Sequence, residues 1–113
     1  MHELGVLLRI ADQVLEVVRE EGLSEVEAVV LEVGAMSSIV PEYLTYFYPA
    51  AVEGTVLEKA ELRIERLPAV GRCRGCGEAF DIVRHRGVCP GCGGKDPELL
   101  SGREFNIKEI VAR

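Results

Sequence analysis

Cys73-Arg74-Gly75-Cys76-Gly77 and Cys89-Pro90-Gly91-Cys92-Gly93 are two copies of one device, separated by 12 residues. A Cys-x-x-Cys turn points both sulfurs to one side with the intervening backbone N–H groups aimed at them, and the trailing glycine supplies the positive φ by which the chain leaves the turn. Two such knuckles complete a tetrahedron. Four thiolates at about 2.3 Å leave a Zn²⁺ no open coordination position. The pattern therefore predicts a structural zinc site at Cys73, Cys76, Cys89 and Cys92, with no Lewis-acid catalysis.

Two other chemistries use similar cysteine pairs. A dithiol redox centre would show a single Cys-x-x-Cys at a helix start in a βαβ setting, which this duplicated ribbon does not. A rubredoxin-like iron site shares Cys-Pro-x-Cys-Gly but has a longer spacer and an aromatic core, for which only Phe80 is at hand. All four cysteines of the chain lie in this segment, and in a reducing compartment clustered pairs are metal ligands far more often than disulfides. Residues 69–100 hold seven of the twelve glycines and few large apolar side chains. Too little surface can be buried there for independent folding, so bound metal must supply the missing free energy.

Outside the cysteines the hydrophobic period changes element by element. Leu4, Leu7, Leu8, Ala11, Val14, Leu15 and Val18 recur at helical spacing and predict a helix ending near Gly22. From Ser24 to Val33 a β-branched run closed by Gly34 reads as a strand apolar on much of both faces. Pro41 opens a second helix through Tyr43, Leu44 and Phe47 to about Val52, with a kink or break expected between Tyr46 and Pro49 because Pro49 lacks an N–H. Thr55 to Leu67 reads as a strand with Leu62 and Ile64 on one face. Glu104 to Val111 reads as a last strand, expected to pair with the Thr55 to Leu67 strand. Tyr43, Tyr46, Phe47 and Tyr48 are most simply core and helix surface.

The 113 residues carry 13 Lys+Arg against 19 Asp+Glu, a formal charge of −6. The excess acid argues against general nucleic-acid binding, which draws its affinity from basic side chains. Residues 1–67 carry 5 basic and 13 acidic side chains, whereas 68–100 carry 5 and 4. No apolar run approaches the roughly 20 residues of a membrane span. The opening Met1-His2-Glu3 lacks the basic leader of a secretory signal, and the expectation is a cytosolic protein.

Met1-His2-Glu3 is the second place where chemistry can be read. A bulky second residue should leave Met1 in place, so the α-amine, the deprotonated His2 amide and the His2 imidazole offer three nitrogens in chelate order. That set suits Ni²⁺ or Cu²⁺ better than Zn²⁺. A fourth donor must come from elsewhere: Glu3 is adjacent, and His85 is the only other histidine. From these residues alone the default for His2 is a frayed terminus, and for His85, between Arg84 and Arg86, a solvated loop residue.

Taken in order, the motifs resemble the HypA/HybF family of hydrogenase nickel-incorporation proteins. The resemblance runs through Met1-His2-Glu3, then Val40-Pro41-Glu42-Tyr43-Leu44 and Thr55-Val56-Leu57-Glu58-Lys59-Ala60-Glu61-Leu62-Arg63-Ile64-Glu65. It continues through both cysteine knuckles and Ser101-Gly102-Arg103-Glu104-Phe105-Asn106-Ile107-Lys108-Glu109-Ile110. It implies that His2 is the main nickel ligand and that the four cysteines bind zinc; Glu3 is carried over from the opening motif as a nickel-site residue that ligates or orients, and Met1 stands as a nickel ligand through its amine on the chelate order above. His85 is added as a nickel ligand on spatial grounds only. Lys59, where members often have Gly, and the arginine-rich ribbon loop depart from the pattern without touching a metal residue. The resemblance also implies partners: a HypB-type nickel GTPase and the large subunit of [NiFe]-hydrogenase, with urease maturation a further client in some members.

The expectation is thus an α+β fold, two helices packed on a three-stranded β-sheet, with an inserted four-cysteine zinc ribbon. Residues 1–67 plus 101–113 would form a nickel-binding domain and 68–100 a zinc-binding domain. The expected function is that of a nickel metallochaperone carrying transferable Ni²⁺ and structural Zn²⁺, not an enzyme, with no nucleic-acid or membrane partner and a homodimer left open. The alternative is a zinc-ribbon adaptor for protein or nucleic acid in which Met1-His2 is incidental.

Overall fold

The computed structural model describes residues 2–113. Helix α1 (Glu3–Glu21) buries Val6, Leu7, Ala11, Val14 and Val18 along one face. It stops at Gly22, whose φ of 65° lets its N–H reach Arg19 O at 3.3 Å, while Leu23 N–H reaches Val18 O at 3.0 Å. Only a residue without a Cβ penalty makes that left-handed exit cheaply. Strand β1 (Val26–Gly34) follows, then α2 (Pro41–Val52), β2 (Glu61–Leu67), β3 (Val70–Cys73), β4 (Ala79–Asp81), β5 (Pro97–Ser101) and β6 (Phe105–Ala112).

Two helices and a three-stranded sheet of order β2-β1-β6 form the expected α+β core, with the cysteine segment inserted between β2 and β6. The strand neighbours differ from expectation. β6 pairs with β1, and β2 lies on the other side of β1. The physical reason is burial: seven of the nine β1 residues are buried, on both faces, so β1 takes the centre, whereas β2 and β6 contain no buried residue and alternate between half-buried and exposed. A strand apolar on two sides needs neighbours on both edges and cover on both faces.

Two local readings are corrected. α2 runs unbroken through Pro49, because Leu44 on one side and Ala51 and Val52 on the other are buried and anchor both halves. The missing bond to Thr45 O is the local cost of Pro49. Residues 55–60 are turns, not strand. Thr55 Oγ1 accepts Leu57 N–H at 3.1 Å and donates to Val52 O at 2.7 Å. Leu57 and Ala60, three apart, are the buried residues of that stretch, and a spacing of three belongs to turns and helices, not to a strand's two.

By contacts the chain divides into two compact units: one from the residues up to Glu32, Ile39–Glu65 and Asn106–Arg113, the other from Val33–Ser38 and Arg66–Phe105. In the first, α1 packs on α2. Exposed charges line its strands: Glu27 on β1 lies 3.8 Å from Arg63 of β2 and 3.6 Å from Arg113, and Lys108 of β6 meets Glu65 of β2 at 2.7 Å. In the second, β3 pairs antiparallel with both β4 and β5, placing Gly71 opposite Phe80 and opposite Leu99. Its small core is Cys73, Phe80 and Cys89 with Ile82 packed against them. Gly34 N–H donates to Glu104 O at 2.7 Å and Met36 N–H to Gly102 O at 2.8 Å. A Cβ at Gly34 would collide with the Gly102 carbonyl. No helix among the described residues is long and apolar enough to cross a membrane.

Candidate metal centres

The two knuckles fold identically. Cys73 N–H donates to Glu78 O at 2.8 Å and Gly77 N–H to Cys73 O at 2.8 Å; Cys89 N–H donates to Gly94 O at 2.8 Å and Gly93 N–H to Cys89 O at 2.9 Å. Gly77 and Gly93 leave their turns at φ of 81° and 78°. Each register brings its sulfurs under backbone donors. The N–H groups of Cys76 and Gly75 face the Cys73 sulfur and those of Cys92 and Gly91 face Cys89, while Glu78 serves Cys76 and Gly94 serves Cys92.

All four Sγ atoms lie within 4.8 Å of one another, Cys73 with Cys92 and Cys76 with Cys89 at 3.5 Å. A disulfide would need about 2.05 Å, and the four thiols are free. Bonds of about 2.3 Å in a tetrahedron set sulfurs about 3.8 Å apart, so the cluster has the size and donor set to hold a metal ion. Cys73 and Cys89 are buried, while Cys76 and Cys92 are exposed. The Cys73 thiol is held down to about 7, first by the Cys76 and Gly75 N–H groups. The other three are pushed up: the largest influence on each is a lowering backbone donor, but burial and neighbouring sulfurs together outweigh it. Four adjacent thiolates need a cation between them.

Glu78 was not singled out by sequence, yet it touches three of the four cysteines. Its carbonyl takes Cys73 N–H, its N–H serves Cys76, and its carboxylate lies 3.6 Å from Cys89 Sγ. The only signal is its place just after the first knuckle, which fixes the backbone contacts but not the side-chain one.

At the start of the chain, Met1 lies outside the described residues. His2 is exposed and precedes α1, accepting Val6 N–H on its carbonyl at 3.0 Å. Its side chain makes no capping bond to α1. Glu3 is only 2% exposed. One carboxylate oxygen accepts His2 N–H at 3.1 Å and the other accepts Val40 N–H at 3.1 Å. Burial is the largest single influence on this carboxyl and raises it, but the N–H groups of Val40, Glu3 and His2 together hold it below the usual carboxylate range. Val40 was not foreseen as Glu3's partner; the signal was its place before Pro41, where a helix-opening N–H needs an outside acceptor.

His85 lies between β4 and the second knuckle, with its ring edge-on to Phe80 at 6.0 Å and its N–H bonded to Asp81 O at 3.1 Å.

Residues 1–112 match the family model described as hydrogenase/urease nickel incorporation, metallochaperone, hypA. The chain is 38% identical over 111 residues to the hydrogenase maturation factor HypA of Chlorobaculum parvum, covering 98% of each chain. To that of Deinococcus radiodurans it is 42% identical over 108 residues, covering 95% of this chain and 89% of the other. Its fold is similar to the solution structure of the nickel metallochaperone HypA from Helicobacter pylori, with a TM-score of 0.67 at 22% identity over 99% and 97% of the two chains.

Proposed function

The chain belongs to the HypA family, a family of metal-binding maturation chaperones and not of catalysts, and from that premise we propose that it carries Ni²⁺ to [NiFe]-hydrogenase. The cargo binds at the amino terminus, through the His2 imidazole and amide and the Met1 amine, while Cys73, Cys76, Cys89 and Cys92 keep a structural Zn²⁺. The observation that carries this reading is the contrast between the two places. One is a closed set of four sulfurs, half of them buried; the other is an exposed imidazole on a chain end. A carrier must bind and let go, and a site on a terminus is dismantled by moving one residue. Zinc in the sulfur cage supplies folding free energy to the small ribbon core.

Glu3 serves the terminus as a positioning residue. With both oxygens taken by backbone N–H groups, it fixes where His2 leaves α1. Ligation through a deprotonated His2 amide gives up one of those bonds and leaves the carboxylate beside the incoming cation. That negative charge offsets the positive end of the helix dipole, which otherwise opposes a cation by about 0.3–1 kcal/mol at an exposed end. The reading does not draw on His85. A HypB-type nickel GTPase as donor or trigger and the hydrogenase large subunit as recipient are the partners that fit a carrier of this family.

The deciding experiment is nickel titration of the zinc-loaded protein by calorimetry beside His2→Ala. Loss of tight nickel binding with zinc content and far-UV circular dichroism unchanged supports the reading. Equal affinity in the two proteins removes it, and the adaptor reading takes its place.

A further inference from the structure

We propose that the ribbon loop 82–88 is a docking tip for an acidic peptide segment of a partner protein, gripped by Arg84 and Arg86 and seated on Val83. The loop is ordered from within. Asp81 Oδ1 accepts Arg84 N–H at 2.9 Å and Asp81 O accepts His85 N–H at 3.1 Å, while Gly87 N–H reaches Ile82 O at 2.8 Å and Val88 N–H reaches His85 O at 3.0 Å. Ile82 N–H is held by Ala69 O at 2.9 Å, and the His85 ring sits edge-on to Phe80 of the ribbon core. Such a loop is organised before any partner arrives, so little ordering entropy is lost on contact.

The loop sets two basic groups beside an apolar side chain. Arg84 and Arg86 are exposed and, among the described residues, form no ion pair. Val83, next to Arg84, is 57% exposed, a large apolar side chain held out at a tip. Arg86 has a φ of 54°, the one left-handed residue other than glycine among those described. Glycine would occupy that position without strain, so the arginine is kept there at a conformational cost. Two guanidinium groups beside an apolar contact match two carboxylates beside an apolar side chain, because the guanidinium fork binds carboxylate in bidentate fashion. A phosphate backbone is the poorer complement, since affinity for it is built from many basic contacts and this loop offers two.

The test uses the full chain loaded with zinc, at about 0.15 M salt, where surface pairs are screened to their physiological level. Anisotropy of a fluorescein-labelled peptide alternating Glu and Asp with Leu should rise saturably. A peptide with Lys in place of the acids should not bind. The double variant Arg84→Ala, Arg86→Gly removes both charges and suits the left-handed position, and it should bind the acidic peptide at least tenfold more weakly with unchanged zinc content and a Tm no lower than that of the native protein. Retained affinity in that variant overturns the proposal, as does equal binding of the Lys peptide. Tighter binding of a labelled single-stranded oligonucleotide overturns it in favour of a nucleic-acid contact. The nickel reading is independent, because His2→Ala leaves this binding in place if both hold.

Discussion

The Glu3 carboxylate accepts the backbone N–H of Val40 at 3.1 Å, joining the first residue of α1 to the residue that precedes α2. Thirty-seven residues of chain separate the two, and the bond is made by a side chain that is almost fully buried. Both helices therefore begin at one place, and that place carries His2.

Glu3→Gln keeps the shape but not the chemistry. An amide can accept one of the two backbone N–H groups and turns its own NH₂ toward the other, which loses its partner inside the protein. Thermal unfolding should move down by several degrees. The pH response carries the sign: the folded carboxyl lies below its ordinary value of about 4.3, so its contribution is complete above that value and is lost as pH falls through the lower, folded one. Glu3→Gln should lose less stability than the native protein between neutral pH and about pH 3. Parallel curves would show that the carboxylate is not what holds Val40.

How far the sequence could be read depended on whether a signal was local. The capping of α1 at Gly22 and the pairing of cysteine knuckles rest on neighbouring residues, and both were legible. The turn at 55–60 was misread because Thr55 and Val56 look like strand, although Leu57 and Ala60 already stood three apart. Pro49 was weighed by its local cost alone, and the buried Leu44 and Val52 that keep α2 continuous through it belong to packing. The centrality of β1 was visible in its two apolar faces, but the choice of β6 as its neighbour needed the whole sheet. At the terminus, His2 and Glu3 could be named from residue type and resemblance. The Glu3 to Val40 bond could not, because it joins residues far apart in sequence.

Gly34 is the tightest crossing in its unit. A methyl group there would strike the Gly102 carbonyl and crowd Glu104 N, and these are backbone atoms that cannot rotate away. Gly34→Ala should destabilise the protein by about 1–3 kcal/mol, the range for overpacked sites, read by urea denaturation. Gly22→Ala is the control. No atom lies within 4 Å of its added Cβ, and only its φ of 65° opposes the change. The cost there should be smaller, about 1 kcal/mol. A ranking in the other order would mean that the crossing relaxes more readily than its contacts indicate.

Nickel binding at the terminus should compete with protons and with added residues. The His2 imidazole must be neutral and its amide deprotonated to ligate, so each bound ion displaces protons and affinity falls as pH is lowered. A short peptide placed ahead of Met1 converts the amine into an amide and should weaken binding at least tenfold, with zinc content unchanged. Calorimetry in buffers of different ionisation enthalpy would count the protons released. A tagged protein with native affinity would exclude the amine as a ligand while leaving the imidazole in question only through His2→Ala.

The proposed zinc site makes the sharpest demand, because a structural metal there has to be tied to folding. Cys73 and Cys89 form most of the ribbon's apolar core together with Phe80, so the core and the metal site share side chains. Cys76→Ser leaves that core intact and removes an exposed ligand. If packing alone held the ribbon, the variant would stay folded without metal. If the metal holds it, zinc should be lost and amide exchange in residues 70–101 should approach that of an unfolded chain, while α1 and α2 keep their protection. A strong chelator acting on the native protein should give the same exchange pattern, and returning Zn²⁺ should reverse it. A ribbon that stays protected after metal is removed would show that Cys73, Phe80, Cys89 and Ile82 suffice, and the zinc would then need another role.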